Sequence, residues 1–520
     1  MTTALASADR PASAADSAPS TSIGPRAAFA WRAVGVVVAV KLAVNLLFAG
    51  RYGWHRDELY YADAVRHLML GYVDFPAVTP WLAALSRTVF GWSSLVGLRT
   101  VASLAGAGVI LVTAAVARDL GGGRRAQLIA AIAVAPLVVG SNAMFQTVSF
   151  DQLGWALTIW ATVGVLRRGT VHSWAWLGAA AGLAWNTKYT VVVLFAGLAL
   201  GFVGTKAGRQ RLRGQGPAIA LAVLAIAALP NLWWQARHGW PSVDFFTSRG
   251  EVRDENPPLR FALELILIAG PAALLLWLSG LRALVRDAAT RPLGVALVVV
   301  APTCLLLGGK SYYAAPMVTG AFAAGGVAWE RAMTRASTDR RGAGRWWIWP
   351  AVIAGTAALA SPLILPVLPT STMVDLGLTD MRDDYGAQLG WPEVAATVGA
   401  EWQSLPASAR AETAIVAGSY GFAGAIERFG GSWDLPSPVS GHLTWRYWAP
   451  APRTLAATRA IVVGLPEAFV ARHCAAHRRI ATVDNRWGVD NEERGTAIWS
   501  CSLPGTIGDL RPELVRHVPG

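Results

Sequence analysis

Charge is the chain's first shortage. Only 15% of its 520 residues are Asp, Glu, Lys or Arg, where a soluble globular chain carries about 25%. Hydrophobic residues make up 54%, gathered in Ala/Leu/Val-rich runs such as Val36–Ala49 and Val295–Leu307. One soluble core cannot bury all of these runs, so the composition excludes a soluble globular protein and implies a polytopic α-helical membrane protein. Cysteine is scarce, with three in all. Cys304 sits in an apolar run. Cys474 and Cys501 lie near the C-terminus, where they pair if that region is outside the cytosol and stay as two thiols if it is not. No basic stripe interleaved with aromatics accompanies the net charge of +13, which excludes a nucleic-acid partner. Internal repeats with charges near the membrane midplane, the mark of many transporters, are also missing.

What is present divides the chain into three parts. Residues 1–28 are Ala/Ser/Thr-rich and read as a disordered cytosolic tail. The apolar run that follows ends in Gly50-Arg51-Tyr52 without a small-residue cleavage site, so it reads as a retained first span. From there to about residue 370, eleven segments approach the length that crosses a bilayer: 32–50, 95–117, 126–141, 152–166, 174–187, 189–205, 217–234, 261–281, 293–308, 312–330 and 347–368. The pair 174–187 and 189–205, with Lys188 between them, reads either as two tilted spans or as one interrupted span. With eleven spans, the clusters at Arg118–Arg125, Arg167-Arg168, Lys206–Arg213, Arg282–Arg291 and Arg331–Arg345 all fall on the side of the N-terminus. That side is then cytosolic. Residues 371–520 have strand-length apolar runs (Thr413–Ala417, Ala460–Val463, Ile480–Val483) and helical stretches (Trp391–Ser404, Gly421–Phe429). They predict a small extracytoplasmic α/β domain.

The acidic residues concentrate in the opposite-side loops. The long loop 51–94 holds Gly53-Trp-His55-Arg-Asp57-Glu58-Leu-Tyr-Tyr-Ala-Asp63, then Gly71-Tyr-Val-Asp74-Phe75-Pro76, and two amphipathic stretches, Glu58–Leu70 and Thr79–Val89, which predict helices lying in the membrane interface. A carboxylate pair ringed by aromatics suits removal of a proton from a hydroxyl. The competing reading makes Asp57 and Glu58 a helix cap. Asp74 is otherwise a turn residue, and Asp63 reads as polar-face. Asp151 opens an apolar segment and so lies at membrane depth, where an ionisable group is a functional candidate before it is a cap. Further acids, Asp244, Glu251, Asp254 and Glu255, fall in the loop 235–260. Against the charge trend, Lys188, Lys310 (in Gly309-Lys310-Ser311-Tyr312-Tyr313), Arg237 and His238 sit on the acidic side. Cations and hydroxyls at that depth suit a lipid phosphate, although a lysine there can also simply snorkel.

At these residues the chain resembles glycosyltransferase family 39 and its bacterial relatives, the protein O-mannosyltransferases and the aminoarabinose transferase of lipid A, which share the GT-C membrane fold. The order of the motifs carries the resemblance. An Asp-Glu pair follows the first span, an acidic residue precedes a Pro-containing turn, and an Asp opens a later span. The resemblance implies that Asp57 is the catalytic or acceptor-orienting carboxylate, with Glu58 and Asp151 beside it. It implies that Asp74, His55 and His238 line the acceptor and donor pocket, and that Lys188, Lys310, Tyr312, Tyr313 and Arg237 hold the donor phosphate. Phe75-Pro76-Ala77 replaces the family's Lys-Pro-Pro at this point, so one phosphate contact is missing. The implied reaction is inverting transfer from a polyprenyl-phosphate-linked sugar to an extracytoplasmic hydroxyl on a lipid, glycan, protein or natural product. It requires no cofactor, and a divalent metal is compatible with the fold. No Asp-x-Asp loop motif of a nucleotide-sugar enzyme occurs. The segments Ala417–Glu427 and Ser440-Gly-His442 resemble tails of bacterial members, implying an acceptor-recognition or assembly domain. The rival classes are a transporter or lipid flippase, and a non-catalytic scaffold for envelope assembly. The implied location is a bacterial plasma membrane.

Overall fold

The computed structural model describes residues 23–248, 257–336 and 346–517. Most of the expected 1–28 tail, the acids Glu251, Asp254 and Glu255, and the basic residues Arg340, Arg341 and Arg345 lie outside those residues.

Each of the eleven candidate segments is helical. The first is α1 (Trp31–Phe48), and two short helices of the loop 51–94 follow, α2 (Arg56–Ala64) and α3 (Val78–Phe90). The bundle continues with α4 (Leu95–Asp119), α5 (Arg124–Ser141), α6 (Thr147–Arg168), α7 (Val171–Trp185) and α8 (Val192–Gly204). After a short α9 (Lys206–Arg211) come α10 (Gly216–Arg237), α11 (Pro241–Ser248), α12 (Pro258–Ala269), α13 (Leu274–Arg286), α14 (Arg291–Leu306), α15 (Val318–Ala336) and α16 (Ile348–Leu359). Among the described residues, four helices (α1, α4, α5 and α10) are singly long and apolar enough to cross a membrane. A fifth candidate is the pair α12 and α13, which bends by 87°. The sequence suggests one straight span at 261–281. Gly270, with φ of +90°, and Pro271 break it, because the glycine turns the chain out of the helix and the proline cannot donate back into it. Lys188 lies in a break between two helices, α7 and α8.

Small residues bring these helices together. Gly197 and Gly201 of α8 face the backbone of Ala296 and Pro292 on α14, where an added Cβ would collide with their carbonyl oxygens. Four-residue spacing puts both glycines on one face, so the backbones approach closely and gain dispersion contact where no hydrophobic drive exists between helices in lipid. The outer faces stay apolar, with Val36, Leu47, Leu200, Ile226 and Leu229 exposed. The basic clusters meet at one end of the bundle. There Arg26 pairs with Asp119 at 2.7 Å and Arg167 donates to the Asp119 carbonyl. Residues 23–28 are packed on this end through Gly24 and Arg26, which corrects the expectation of disorder for that part of the tail.

The other end carries the loop 51–94 and the C-terminal region. The latter contains a four-stranded mixed sheet of β1 (Thr413–Ala417), β2 (Arg459–Val463), β3 (Ala476–Thr482) and β4 (Ala497–Ser502). The strand order is β1-β2-β4-β3, with β1 and β2 parallel and the other pairs antiparallel. The expected helices appear at Trp391–Ser404 and Tyr420–Phe429. Cys474 and Cys501 form a disulfide that ties the approach to β3 onto β4. One apolar cluster runs from Leu59, Tyr60 and Phe75 in the loop to Trp391, Phe422 and Ile461 in the C-terminal region. Loop and domain therefore share a single core and hold each other in place.

Candidate active site

The loop 51–94 is anchored first by an ion pair. Glu58 and Arg99 are both fully buried, and the guanidinium meets the carboxylate twice at 2.8 Å. Glu58 also accepts from the backbone N–H of His55 and of Phe145, at 2.9 and 2.8 Å. Arg99 donates further to the carbonyls of Ala49, Arg51 and Gly53 and to Gln388. All of Glu58's capacity is taken, so it holds the loop and cannot meet a substrate. This corrects the expectation of a catalytic Glu58. His55 completes the cap of α2, its Nδ1 accepting from the Asp57 N–H at 3.1 Å while its ring is buried. That role leaves His55 behind Asp57 and gives no support to a pocket-lining one.

Asp57 is the carboxylate left accessible, with its side chain 28% exposed. Its Oδ1 accepts from the Tyr420 hydroxyl at 2.8 Å. Tyr420 belongs to the C-terminal domain and stacks on Tyr60 at 4.9 Å and on His442 at 5.2 Å. Burial, reinforced by Asp57, pushes the Tyr420 phenol well above its ordinary range, which keeps it a donor. Tyr60 donates to Asp74 at 3.2 Å and accepts from the Thr444 N–H at 3.0 Å. Burial likewise raises Tyr61, with Asp57 first and Asp74 second among the charges acting on it. Asp57 and Asp74 thus border one aromatic layer.

The turn that holds Asp74 closes between Gly71 and Pro76. It is pinned by the Val73 N–H on Thr444 and by Gln235 and Ser242, which both donate to the Tyr72 carbonyl. Gln235 also bonds the Tyr189 hydroxyl.

The break between α7 and α8 supplies the cation. The Lys188 ammonium lies 4.9 Å from the ring centres of both Tyr312 and Tyr313, which sit in the short turn after α14. The two ring nitrogens of His55 lie 3.8 Å from the Asp57 and the Asp384 carboxylates. Asp151, in the first turns of α6, is buried. Asp151 accepts from Thr190 at 3.2 Å and feels the Lys188 charge, while its Oδ1 has no partner. Asp151 is therefore a buried acid in a wall of the site, out of reach of solvent.

Three expected residues stand apart. Lys310 is exposed and acts on Glu264, which also accepts from Ser311 at 2.8 Å. Arg237 lies over Trp233 on the exposed end of α10. His238 bonds the Trp234 carbonyl at 2.8 Å, stacks on the Trp234 ring and meets Tyr447 edge-on. The sequence reading missed Tyr420, Tyr60, Arg99 and Asp384. Asp-Glu followed by Tyr-Tyr on one short helix signals a hydroxyl-rich site, but Tyr420 lies 363 residues from Asp57 and carries no local signal. Among the described residues no three His, Cys, Asp or Glu side chains form a group that could hold a metal.

Comparison with known proteins finds similarity to glycosyltransferases. A family model described as dolichyl-phosphate-mannose-protein mannosyltransferase matches residues 74–234. The lipid A galacturonosyltransferase RgtD of Rhizobium johnstonii is 30% identical over 187 residues. That alignment takes in 35% of this chain and spans 38% of the relative's length. In fold, the chain is similar to ArnT from Cupriavidus metallidurans, solved with undecaprenyl phosphate bound. The TM-score is 0.58 at 14% identity, covering 90% of this chain and 98% of that one. The arabinofuranosyltransferase AftD from Mycobacteria is similar at a TM-score of 0.51 and 15% identity, over 91% of this chain and 40% of that one. The chain is a multi-pass membrane protein with the GT-C fold.

Proposed function

We propose that the protein moves a sugar from a polyprenyl-phosphate-linked donor to a hydroxyl of an extracytoplasmic acceptor by inverting single displacement. The supporting observation is the accessible Asp57 carboxylate at the same end of the bundle as the Lys188 ammonium, which lies over the Tyr312 ring. A base and a cation at one end of the bundle suit an exchange between a hydroxyl and a phosphate-linked sugar. In this reading Asp57 takes the acceptor proton as the oxygen attacks the anomeric carbon. The lipid phosphate leaves with the electron pair of the broken C–O bond, toward Lys188 and the Tyr312 and Tyr313 hydroxyls. Asp74 orients the acceptor, Tyr420 fixes the lone pairs of Asp57, and Asp151 braces the segment after Lys188 through Thr190. The basic end faces the cytosol under the positive-inside rule, which puts the site and the C-terminal domain outside.

The test is transfer by purified protein with radiolabelled polyprenyl-phosphate sugars. Asp57→Asn should cost at least a hundredfold in turnover with donor binding retained, on the scale of about 10²–10⁴ for acid–base catalysis. Lys188→Met should raise the donor KM. Full turnover in Asp57→Asn would remove the assignment. For orientation, a thiol placed at exposed Glu467 should react with an impermeant maleimide in intact cells, and one at Arg213 should not; the reverse pattern inverts the topology.

A further inference from the structure

Between the loop 51–94 and the C-terminal domain lies a cavity of about 330 Å³ whose lining does not include Asp57. This is within the range of small-molecule pockets, about 300–1,000 Å³. Its walls combine two kinds of surface. Trp445, Trp448 and His67 form an aromatic side, with His67 lying flat on Trp448 at 4.7 Å and an interplanar angle of 16°. His67 is exposed, so its outer face is available for stacking. The polar side is Asp63 with the Arg66–Glu427 ion pair. Asp63 is 95% buried by residue exposure of 5%, and its Oδ2 has no hydrogen-bond partner. Burial, then the neighbouring Glu427, pushes its carboxyl well above the usual range against Arg66, Arg87 and Arg428. Burial also lowers His67, which favours its neutral form. Asp63 and His67 thus set hydrogen-bonding groups beside the aromatic side of the cavity.

That combination selects among ligand classes. An anion would find Arg453 and the already paired Arg66 but would also face Glu427, and it would leave the aromatic side unused. A lipid tail would strand the buried carboxyl and the ion pair. A sugar ring presents a flat C–H face for the imidazole and, at its rim, hydroxyls that donate and accept in the way the polar wall does. The cavity also lies one aromatic layer from the acceptor side of the proposed site: Trp448 neighbours Tyr60 at 6.1 Å, and Tyr60 donates to Asp74.

We infer that this cavity is a carbohydrate subsite that holds a sugar unit of the acceptor, which makes the acceptor a glycan or glycolipid. The assignment of the bound sugar to an acceptor rests on the transferase reading; the binding itself does not.

The experiment is saturation-transfer NMR on the full chain in lipid nanodiscs, with methyl α-mannoside, methyl β-galactoside, maltose and chitobiose as probes. Ring protons of at least one probe should receive saturation. The signal should fall at least fivefold in His67→Ala, whose exposed side chain is not needed for folding, and in Asp63→Asn, while Asp57→Asn retains it. Absence of saturation for all four probes on folded wild type overturns the inference, as does a signal unchanged in both cavity variants. Saturation that depends on His67, in a protein that transfers no sugar, upholds the subsite and sinks the transferase reading instead.

Discussion

Replacing Glu58 by Gln leaves the Arg99 guanidinium charged and fully buried, with one neutral carboxamide where a bidentate carboxylate was. Removing one member of a buried ion pair costs about 3–5 kcal/mol, because the surviving charge is neither paired nor solvated. Arg99→Met should cost at least as much. It strips Glu58 of its counterion and leaves the carbonyls of Ala49, Arg51 and Gly53 without their donor, each orphaned group adding up to about 1–3 kcal/mol where water cannot reach it. The double variant Glu58→Leu/Arg99→Met removes both charges and should be less destabilised than the sum of the singles by more than about 2 kcal/mol, since neither charge is then stranded. The assay is denaturant or thermal unfolding of the purified protein in detergent, read by tryptophan fluorescence, with sugar transfer measured on the folded fraction. Normal stability in Glu58→Gln combined with abolished transfer would refute this reasoning. It would return Glu58 to the chemistry and leave Arg99 as its tuning partner.

Tyr420→Phe removes a charge-assisted bond to Asp57. Turnover should fall about tenfold, since a charge-assisted bond to the base is lost; unchanged turnover would separate Tyr420 from the base. Thiol titration of the native protein should find none accessible before reduction and two afterwards, with Cys304 silent because it is buried. Closing a loop of 27 residues is worth about 3.5 kcal/mol in the chain-entropy account, so reduction should lower the melting temperature measurably. Burial pushes the Glu493 carboxyl up to about 8. The folded state therefore holds this proton where the unfolded chain, near 4.3, has released it. Stability from this group is complete below about pH 4, declines as pH rises, and is gone above about pH 8, a change of a few kcal/mol. Glu493→Gln should flatten that slope in unfolding measured between pH 5 and pH 8.

The amino-acid sequence by itself determined the membrane character, the helical segments, the polarity of the two ends and the small α/β domain. These follow from local composition and periodicity: an apolar run of spanning length, a cluster of arginines, or a Thr413–Ala417 strand declares itself within a few residues. It also placed Asp57, Lys188 and the Tyr312-Tyr313 pair on one side, since each lies in a loop at the same end. The break at Lys188 was visible but not its meaning, because a lone lysine between two short apolar runs fits either topology. Only the tertiary structure separated the adjacent carboxylates Asp57 and Glu58. One turn of α2 points the first toward Tyr420 and the second into Arg99, and neither partner is near in sequence. The same holds for β4, whose alternation is short, and for the bend at Gly270, which hydropathy averages away. Side-chain roles were decided by long-range packing of the loop 51–94 on the C-terminal domain. A residue's chemistry depends on which distant groups share its burial, and composition within one segment does not contain that information.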